Sequence, residues 1–567
     1  MAEAEKNWWK NSIVYQIYPR SFCDSNGDGL GDIPGIISKL GYLKELGIDV
    51  IWLSPVYPSP NCDMGYDISD YKGIHPDFGT MEDMDELIKG AKALGIRIIM
   101  DLVINHTSDE HEWFKKALEG DSKYRDYYYF RPGKDGGKPN NWGSFFGSDV
   151  WEPVPGETDM YFLHLFDKKQ PDLNWHNPEV YREVCDIMRF WLDKGIAGFR
   201  CDVINIIWKN SLEDGKKQLA LTGLEHYLST EGNHEILRRL RKEVLSKYDC
   251  FTVGETVMVD TKMAMDLCGR DRGELDMVFG FEHMECDQIA VKWFKKRYRP
   301  VNLIKAIDKW QREVEWPTNY FENHDQPRSV NRFGDVIRFH KESAKMLCGL
   351  NLSLRGTPFI FEGEEIGMTN GEFDDLSEIV DVESHTIDNT MQTLHFPARL
   401  RWKLIKQTSR DNARTPMQWC GEDEDGRKNP GAGFTTGKPW LKINRNHNWI
   451  NVADEERDLT STLQFYKDMI RLRHQSEALQ WGGYKKLQSD PSVYAFERTS
   501  DNEKMLVVCN MTGKSKKMPA GVTPQAELVI SNYTDADRFP ASSEGTSSGA
   551  ASLRGLRPFE FSIFRSV

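Results

Sequence analysis

No stretch of the 567-residue sequence approaches the ~20 consecutive apolar residues that a membrane-spanning helix needs. The N-terminus also lacks the charged and apolar segments of a secretory leader. Asn7-Trp8-Trp9-Lys10 runs straight into a strand-like segment, so a cytoplasmic protein is expected. There is no basic block. The 73 Lys and Arg residues are interspersed among 87 Asp and Glu to a net charge of -14, which disfavours nucleic acid or an acidic membrane surface as partner. A small neutral substrate fits that balance better, with a monomer or weak homo-oligomer as the expected state. The ten cysteines stand singly. Cys201 and Cys509 lie in apolar strand-like runs where a reduced, buried thiol is the ordinary state, so neither cysteine-held metal nor a disulfide framework is expected. No pair of histidines has the close helical spacing of the zinc motifs, and no glycine-rich dinucleotide loop follows the first strand candidate, so no organic cofactor is expected.

What the chain does have is alternation. Its length suggests about two to four structural units. Over the first two-thirds, short apolar runs alternate with amphipathic helical periods, the pattern of a parallel sheet with crossover helices. Eight strand candidates can be counted: Ile13 to Tyr18, Val50 to Ser54, Ile96 to Val103, Gly198 to Val203, Phe251 to Glu255, Leu275 to Phe279, Thr318 to Glu322 and Thr357 to Phe361. The helices between them carry clear signals. Ile33, Ile36, Ile37, Leu40, Leu43 and Leu46 form one stripe after Asp32. Thr80 and Asp83 stand as a capping box, and Asn177-Pro178 opens a helix that Gly195 ends. The expected fold is a (β/α)₈ TIM barrel. Residues 105–175, rich in Tyr, Trp, Phe, Gly and Asp, exceed the ~12 to 15 residues of an ordinary loop and read as a small domain inserted after strand 3. The barrel is then residues 1–104 and 176–480. From residue 481 to 567 the helical period gives way to alternating runs at Ser492 to Thr499, Met505 to Asn510, Glu527 to Ser531 and Phe559 to Phe564, which predicts a C-terminal antiparallel β-sandwich. Ala541 to Gly555, rich in Ser and Gly, reads as a mobile loop within it.

In such a barrel the C-terminal strand ends carry the chemistry, so the residues of interest are those where apolar strands turn polar. Four do: Asp101-Leu102-Val103-Ile104-Asn105-His106, Arg200-Cys201-Asp202, Gly254-Glu255-Thr256 and Asn323-His324-Asp325. Period-two alternation puts Arg200 and Asp202 on one side of their strand and Cys201 on the other. A guanidinium beside a carboxylate favours its ionised form, as a nucleophile requires, whereas Glu255, next to apolar Val253 and near other carboxylates, would be raised and keep a proton to donate. Two carboxyls with opposite protonation are what hydrolysis of a glycosidic bond with retention needs.

These four segments resemble the signature motifs of the α-amylase family, glycoside hydrolase family 13, in order and across essentially the whole chain. The resemblance implies Asp202 as nucleophile, Glu255 as general acid/base and Asp325 as a third carboxylate on the sugar hydroxyls, with His106 and His324 on the same glucose and Arg200 orienting Asp202. Gln170-Pro171-Asp172-Leu173-Asn174 is similar to the segment that marks the oligo-1,6-glucosidase subgroup. Asp63-Met64-Gly65-Tyr66-Asp67 resembles that subgroup's pocket wall, with Asp63 on sugar hydroxyls and Tyr66 stacking on the ring. Arg414 looks like the arginine that pairs with Asp63 and closes the non-reducing end, which implies exo attack. Phe166 is a further expected wall. Val203, directly after the nucleophile, matches members that cleave α-1,6 links, where α-1,4-specific relatives tend to carry threonine.

Asp24-Ser25-Asn26-Gly27-Asp28-Gly29-Leu30-Gly31-Asp32 places oxygens at alternate positions like the first half of an EF-hand loop, but Gly35 stands where the bidentate Glu belongs, so Asp32 would close the site. The subgroup resemblance implies one structural Ca²⁺, or Mg²⁺, on Asp24, Asn26, Asp28, the Leu30 carbonyl and Asp32. Two places depart from the family pattern: Glu362 stands where relatives commonly have glutamine, and Asp374 to Lys406 is unlike the usual connection. Both are expected near the pocket entrance, where they bear on aglycone choice. The expected activity is exo hydrolysis of isomaltose and short isomalto-oligosaccharides. Alternatives are broader α-1,4 or sucrose specificity, trehalose-6-phosphate hydrolysis, and sucrose isomerisation or transglucosylation. Trehalose-6-phosphate would call for a basic cluster not evident near the motifs, and Gln326-Pro327-Arg328-Ser329 does not match the arginine-rich loop of the isomerases.

Overall fold

A computed structural model describes residues 7–218, 221–289, 291–422, 428–522, 526–534 and 555–565. Eight parallel strands lie where the apolar runs predict them: β1 Val14–Ile17, β2 Val50–Leu53, β3 Arg97–Leu102, β4 Gly198–Cys201, β5 Phe251–Glu255, β6 Met277–Phe279, β7 Thr318–Asn319 and β8 Thr357–Phe361. Pairing runs β7-β8-β1-β2-β3-β4-β5-β6. The ring closes between β6 and β7 through side chains, with Thr318 Oγ1 donating to the Val278 carbonyl and Tyr320 Oη to that of Gly280, each at 3.0 Å. Trp52, Phe279 and Phe359 fill the barrel axis, with Trp52 stacked on Phe279 at 5.6 Å and Phe279 edge-on to Phe359 at 4.8 Å. Register brings Asp101 level with Arg200 and Arg200 level with Val253, so charged side chains of three neighbouring strands meet above this apolar plug.

The helix signals hold, with one break. Thr80 and Asp83 form the reciprocal capping box, and Asn177 caps the helix Pro178–Lys194, which Gly195 ends at φ 107°. The stripe after Asp32 is carried by two short helices, Ile33–Ser38 and Leu40–Leu46, because the backbone leaves helical geometry at Lys39; Ile33, Ile36, Leu40, Leu43 and Leu46 still share the buried face.

Between β3 and β4 lies an antiparallel sheet of Phe130–Pro132, Met160–Leu163 and Trp151–Pro153, preceded by the helices Glu112–Leu118 and Ser122–Arg125. Backbone bridges from His106 to Asp172 and from Tyr128 to Leu173 tie its two ends together. At the C-terminus β9 Gly483–Lys486, β10 Val493–Thr499, β11 Lys504–Asn510, β12 Glu527–Ser531 and β13 Phe561–Arg565 form an antiparallel sheet in the order β9-β10-β11-β13-β12. Among the described residues this is one sheet rather than two facing layers. The helices His340–Ser353 and Thr462–Gln475 belong to the barrel and supply its apolar partner, with Phe465 edge-on to Phe561. Gly349 permits the approach, because a Cβ there would sit 2.4 Å from the Phe561 ring. Residues 541–554 of the expected Ser/Gly-rich loop lie outside the described residues. No described helix is long and apolar enough to cross a membrane.

Candidate active site

The site is organised by one guanidinium. Arg200, fully buried at the end of β4, contacts Asp101 Oδ1 of β3 at 2.5 Å and Asp202 Oδ1 at 2.6 Å through Nη1, and Glu255 Oε2 of β5 at 2.7 Å through Nη2. Such sharing is possible because Arg presents its donors in a planar fork. Asp202 and Glu255 meet directly in a side-chain hydrogen bond. Burial pushes Glu255 up to about 8, with Arg200 opposing the rise and the charges of Asp202 and Asp325 adding to it. Burial also pushes Asp202 up, but only to about 6, because Arg200 and the hydrogen bond from Glu255 favour its charged form. Between those values Asp202 is the carboxylate and Glu255 the acid. Directly after Asp202, Val203 takes a left-handed backbone, φ 35° and ψ 39°, with its N–H 3.4 Å from Glu255 Oε2.

Asp325 follows β7 and is the third carboxylate. Burial would raise it, yet His324, Arg410, Arg414 and Lys292 outweigh that and hold it well below the usual range. Its Oδ1 receives Arg414 Nη2 at 2.7 Å, and Arg410 Nη1 lies 3.5 Å away. Burial pushes His324 down to about 3, so its ring is neutral. Gln16 fixes that ring from Nδ1 at 2.8 Å, Tyr66 stacks on it at 5.2 Å, and Nε2 stands 3.2 Å from Asp325 with no satisfied hydrogen bond. A buried ring nitrogen left without a partner beside a carboxylate is poised to bind a hydroxyl. His106 lies across from it, bonded through Nε2 to Gln170 at 3.1 Å and packed on Phe166 at 5.2 Å; Phe166 stacks on Phe145. Gln170 also reaches Asp63 Oδ2 at 3.3 Å.

A buried ring of carboxyls and histidines on the C-terminal ends of eight parallel strands is the arrangement the four motifs led us to expect. The profile of the alpha-amylase catalytic domain matches residues 16–482. The chain belongs to the alpha-amylase family. Among curated relatives it is 46% identical to the oligo-1,6-glucosidase of Parageobacillus thermoglucosidasius, over 99% of each chain. Among solved structures it is similar to the trehalose-6-phosphate hydrolase of Bacillus licheniformis, with a TM-score of 0.89 and 41% identity over 98% of this chain and 99% of that one. It is likewise similar to the trehalulose synthase of Pseudomonas mesoacidophila, with a TM-score of 0.89 and 40% identity over 98% and 99%. This alpha-amylase family member is thus a glycoside hydrolase.

Two features of the site depart from expectation. Asp63 pairs with Arg410 and not with Arg414: Arg410 Nη2 is 2.8 Å from Asp63 Oδ1, while Arg414 turns to Asp325 and the His324 carbonyl. The two arginines stand four residues apart around the short helix Asp411–Arg414, so both reach Asp325, and the earlier one lies beside Asp63. Glu362 is not at the entrance. It is buried behind β8, where its carboxyl accepts the Tyr18 N–H at 2.9 Å. The 374–406 segment does reach the site, since Asp381 grips Arg410 at 2.7 Å and Glu383, itself bound by Lys292, lies 3.6 Å from it. Asp381 and Glu383 open the helix Val382–Thr393, far before Arg410 in the chain, and that separation gave no pattern that sequence spacing could reveal.

Lys209 was also missed. Its ammonium is fully buried between Asp172 Oδ2 at 2.6 Å, Asn105 Oδ1 at 2.8 Å and the Ile207 carbonyl at 3.4 Å, joining the insertion to the loop after Asp202. In the Asp24 loop, Asp24 accepts the N–H groups of Asn26, Gly27 and Gly29, and Asp32 caps its helix through Gly35 N at 2.6 Å while holding Ser25. Asp24, Asn26, Asp28 and the Leu30 carbonyl are oxygen donors of the type a hard cation takes. Among the described residues no group of three or more His, Cys, Asp or Glu side chains is placed to hold a metal.

Proposed function

We propose that the enzyme is a retaining, exo-acting α-glucosidase that removes terminal α-1,6-linked glucose from isomaltose and short isomalto-oligosaccharides. The observation that carries this is the direct contact of Asp202 with Glu255 on Arg200. Inverting enzymes keep their carboxyls ~6.5 to 9.5 Å apart to admit a water, and a hydrogen-bonded pair leaves no such room. Asp202 attacks the anomeric carbon while Glu255 protonates the leaving oxygen, giving a glucosyl ester on Asp202. Glu255, now ionised, takes a proton from water that releases glucose with its original anomeric configuration. Asp325, His324 and His106 hold the ring hydroxyls, and Tyr66 and Phe166 wall the ring. The Asp63–Arg410 pair shuts the far end of the pocket, which supports attack from the non-reducing terminus.

The linkage rests on Val203 and on the names of the curated relatives. A methyl in place of a hydroxyl at a pocket wall shifts relative binding by ~1 to 3 kcal/mol, enough to rank substrates. The test offers purified enzyme isomaltose, maltose, sucrose, trehalose and trehalose-6-phosphate and follows products and anomeric form by NMR. Isomaltose is expected to be cleaved fastest with α-glucose released first. Initial β-glucose, or a strong preference for maltose, overturns the reading. A structural Ca²⁺, or Mg²⁺, on Asp24, Asn26, Asp28, the Leu30 carbonyl and Asp32 is proposed with it, as is a cytoplasmic location. The ion's loop lies apart from the carboxyls of the reaction, so chelation is expected to lower Tm; an unchanged Tm refutes the ion.

A further inference from the structure

The mechanism assigns work to two of the three carboxyls on Arg200 and none to Asp101. Asp101 is wholly buried on β3, its Oδ1 2.5 Å from Arg200 Nη1 and 3.3 Å from Tyr66 Oη, its Oδ2 taking the Trp52 Nε1–H at 2.6 Å. The same Nη1 serves Asp202, and the other terminal nitrogen serves Glu255. One positive charge therefore answers three carboxyls. We propose that Asp101 is a positioning residue that sets the pH range of the reaction by taking up Arg200 charge that would otherwise fall on Asp202 and Glu255.

The groups facing this cluster leave Asp101 as the adjustable member. From β2 and its following loop come Trp52, Tyr57 and Tyr66, from β4 Arg200, Cys201 and Asp202, from β5 Glu255, and from beyond β7 Tyr320 and Asp325. Arg200 is the cation in direct contact with all three carboxyls, and Asp325 has its own arginines. Burial pushes Asp101 up to about 6, Arg200 and Trp52 pull against that, and the charge of Glu255 adds to the rise; coupling between charges is reciprocal, so ionised Asp101 in turn favours the protonated form of Glu255. Asp101 also raises Asp202. Removing its charge lets Arg200 act on both, and both titrate at lower pH.

This inference rests on Asp202 and Glu255 being the reacting pair. The variant is Asp101→Asn in a Trp52→Phe background, because an amide with Oδ1 toward Arg200 would oppose its Nδ2 to the Trp52 N–H. Trp52→Phe alone removes one hydrogen bond to the Asp101 anion and should act in the same direction by less. The readout is the pH profile of kcat/KM with ¹³C-NMR titration of Glu255, identified by its loss in Glu255→Gln. Both limbs and the Glu255 titration are expected to move about one pH unit toward acid in the double variant. A profile lowered in height but not displaced, with Glu255 unmoved, overturns the inference and leaves Asp101 a structural residue. If the double variant does not fold, Trp52→Phe carries the test, and an undisplaced Glu255 titration in it overturns the inference equally. A Glu255→Gln enzyme that keeps its activity would instead sink the assignment of the reacting pair, so the two failures are distinguishable.

Discussion

Replacing Lys209 by methionine should loosen the insertion from the barrel by an amount the geometry allows one to work out. Methionine matches the length of the lysine stem but leaves Asp172 buried without its cation, Asn105 Oδ1 without its donor and the Ile207 carbonyl uncapped. Both side chains of the pair have 0% exposure, so no water compensates. Stranding one partner of a buried pair costs about 3 to 5 kcal/mol. With an unfolding entropy of ~2.1 cal/mol/K per residue, a chain of this size should lose about 2.5 to 4 °C in Tm. Lys209→Met/Asp172→Leu, which removes the stranded charge, should recover most of that loss. Calorimetry on wild type and both variants measures it. The activity cost should be larger than the Tm shift implies, because Asn105 adjoins His106 and Asp172 borders the turn that carries Gln170. A single variant that melts with the wild type, or a double variant no better than the single one, refutes the argument.

Arg410→Ala should lower kcat/KM for isomaltose by about 10- to 100-fold, chiefly through KM, because it removes charged hydrogen bonds at the closed end of the pocket; Arg414→Ala should instead lower kcat through Asp325. Initial-rate kinetics that show the reverse split would remove Arg410 from pocket closure. The kcat/KM profile should be a bell with limbs near the about 6 of Asp202 and the about 8 of Glu255, since activity needs the first ionised and the second protonated. A limb at high pH that survives in Glu255→Gln would contradict this. Burial holds Glu362 well above the ordinary carboxylate range, so its contribution to stability is present at low pH and is lost as pH rises toward its folded-state value. Glu362→Gln should therefore raise Tm at pH 8 while changing little at pH 4, as scanning fluorimetry at the two pH values would register.

The barrel was legible because its strands are buried on both faces and so appear as short continuous apolar runs, each closed by glycine or a polar turn. β7 was the least distinct in the structure, with only Thr318 and Asn319 in the ladder; the rest of the expected strand continues as a loop in which Tyr320 and Phe321 are buried. Asp202 and Glu255 could be found because strand ends place them together without reference to any loop, and Asp325 because the Asn323-His324-Asp325 motif marks it on the loop after β7. Arg410, Asp381, Glu383 and Lys209 could not, since their pairing depends on how three loops fold over one another. Misplacing the Asp63 partner by one helical turn shows the limit: a motif says which helix faces the pocket, but two arginines on one face are distinguished only by the third dimension. The antiparallel character of the C-terminal unit followed from period-two alternation, whereas its covering by barrel helices did not, because alternation reports that a face is apolar and not what lies against it.

The backbone of Val203 narrows what can change at the residue proposed to rank linkages. A left-handed conformation costs an L-residue ~1 to 2 kcal/mol, and a β-branched one more. Glycine would relieve that cost but would also erase the wall and free the turn that aims Asp202. Threonine keeps the branch and the backbone unchanged, so an exchange of valine for threonine alters one methyl and nothing in the chain path. Selectivity can therefore be retuned at this position without rebuilding the turn, while the substitutions that would make the turn more comfortable are the ones that would blunt its discrimination.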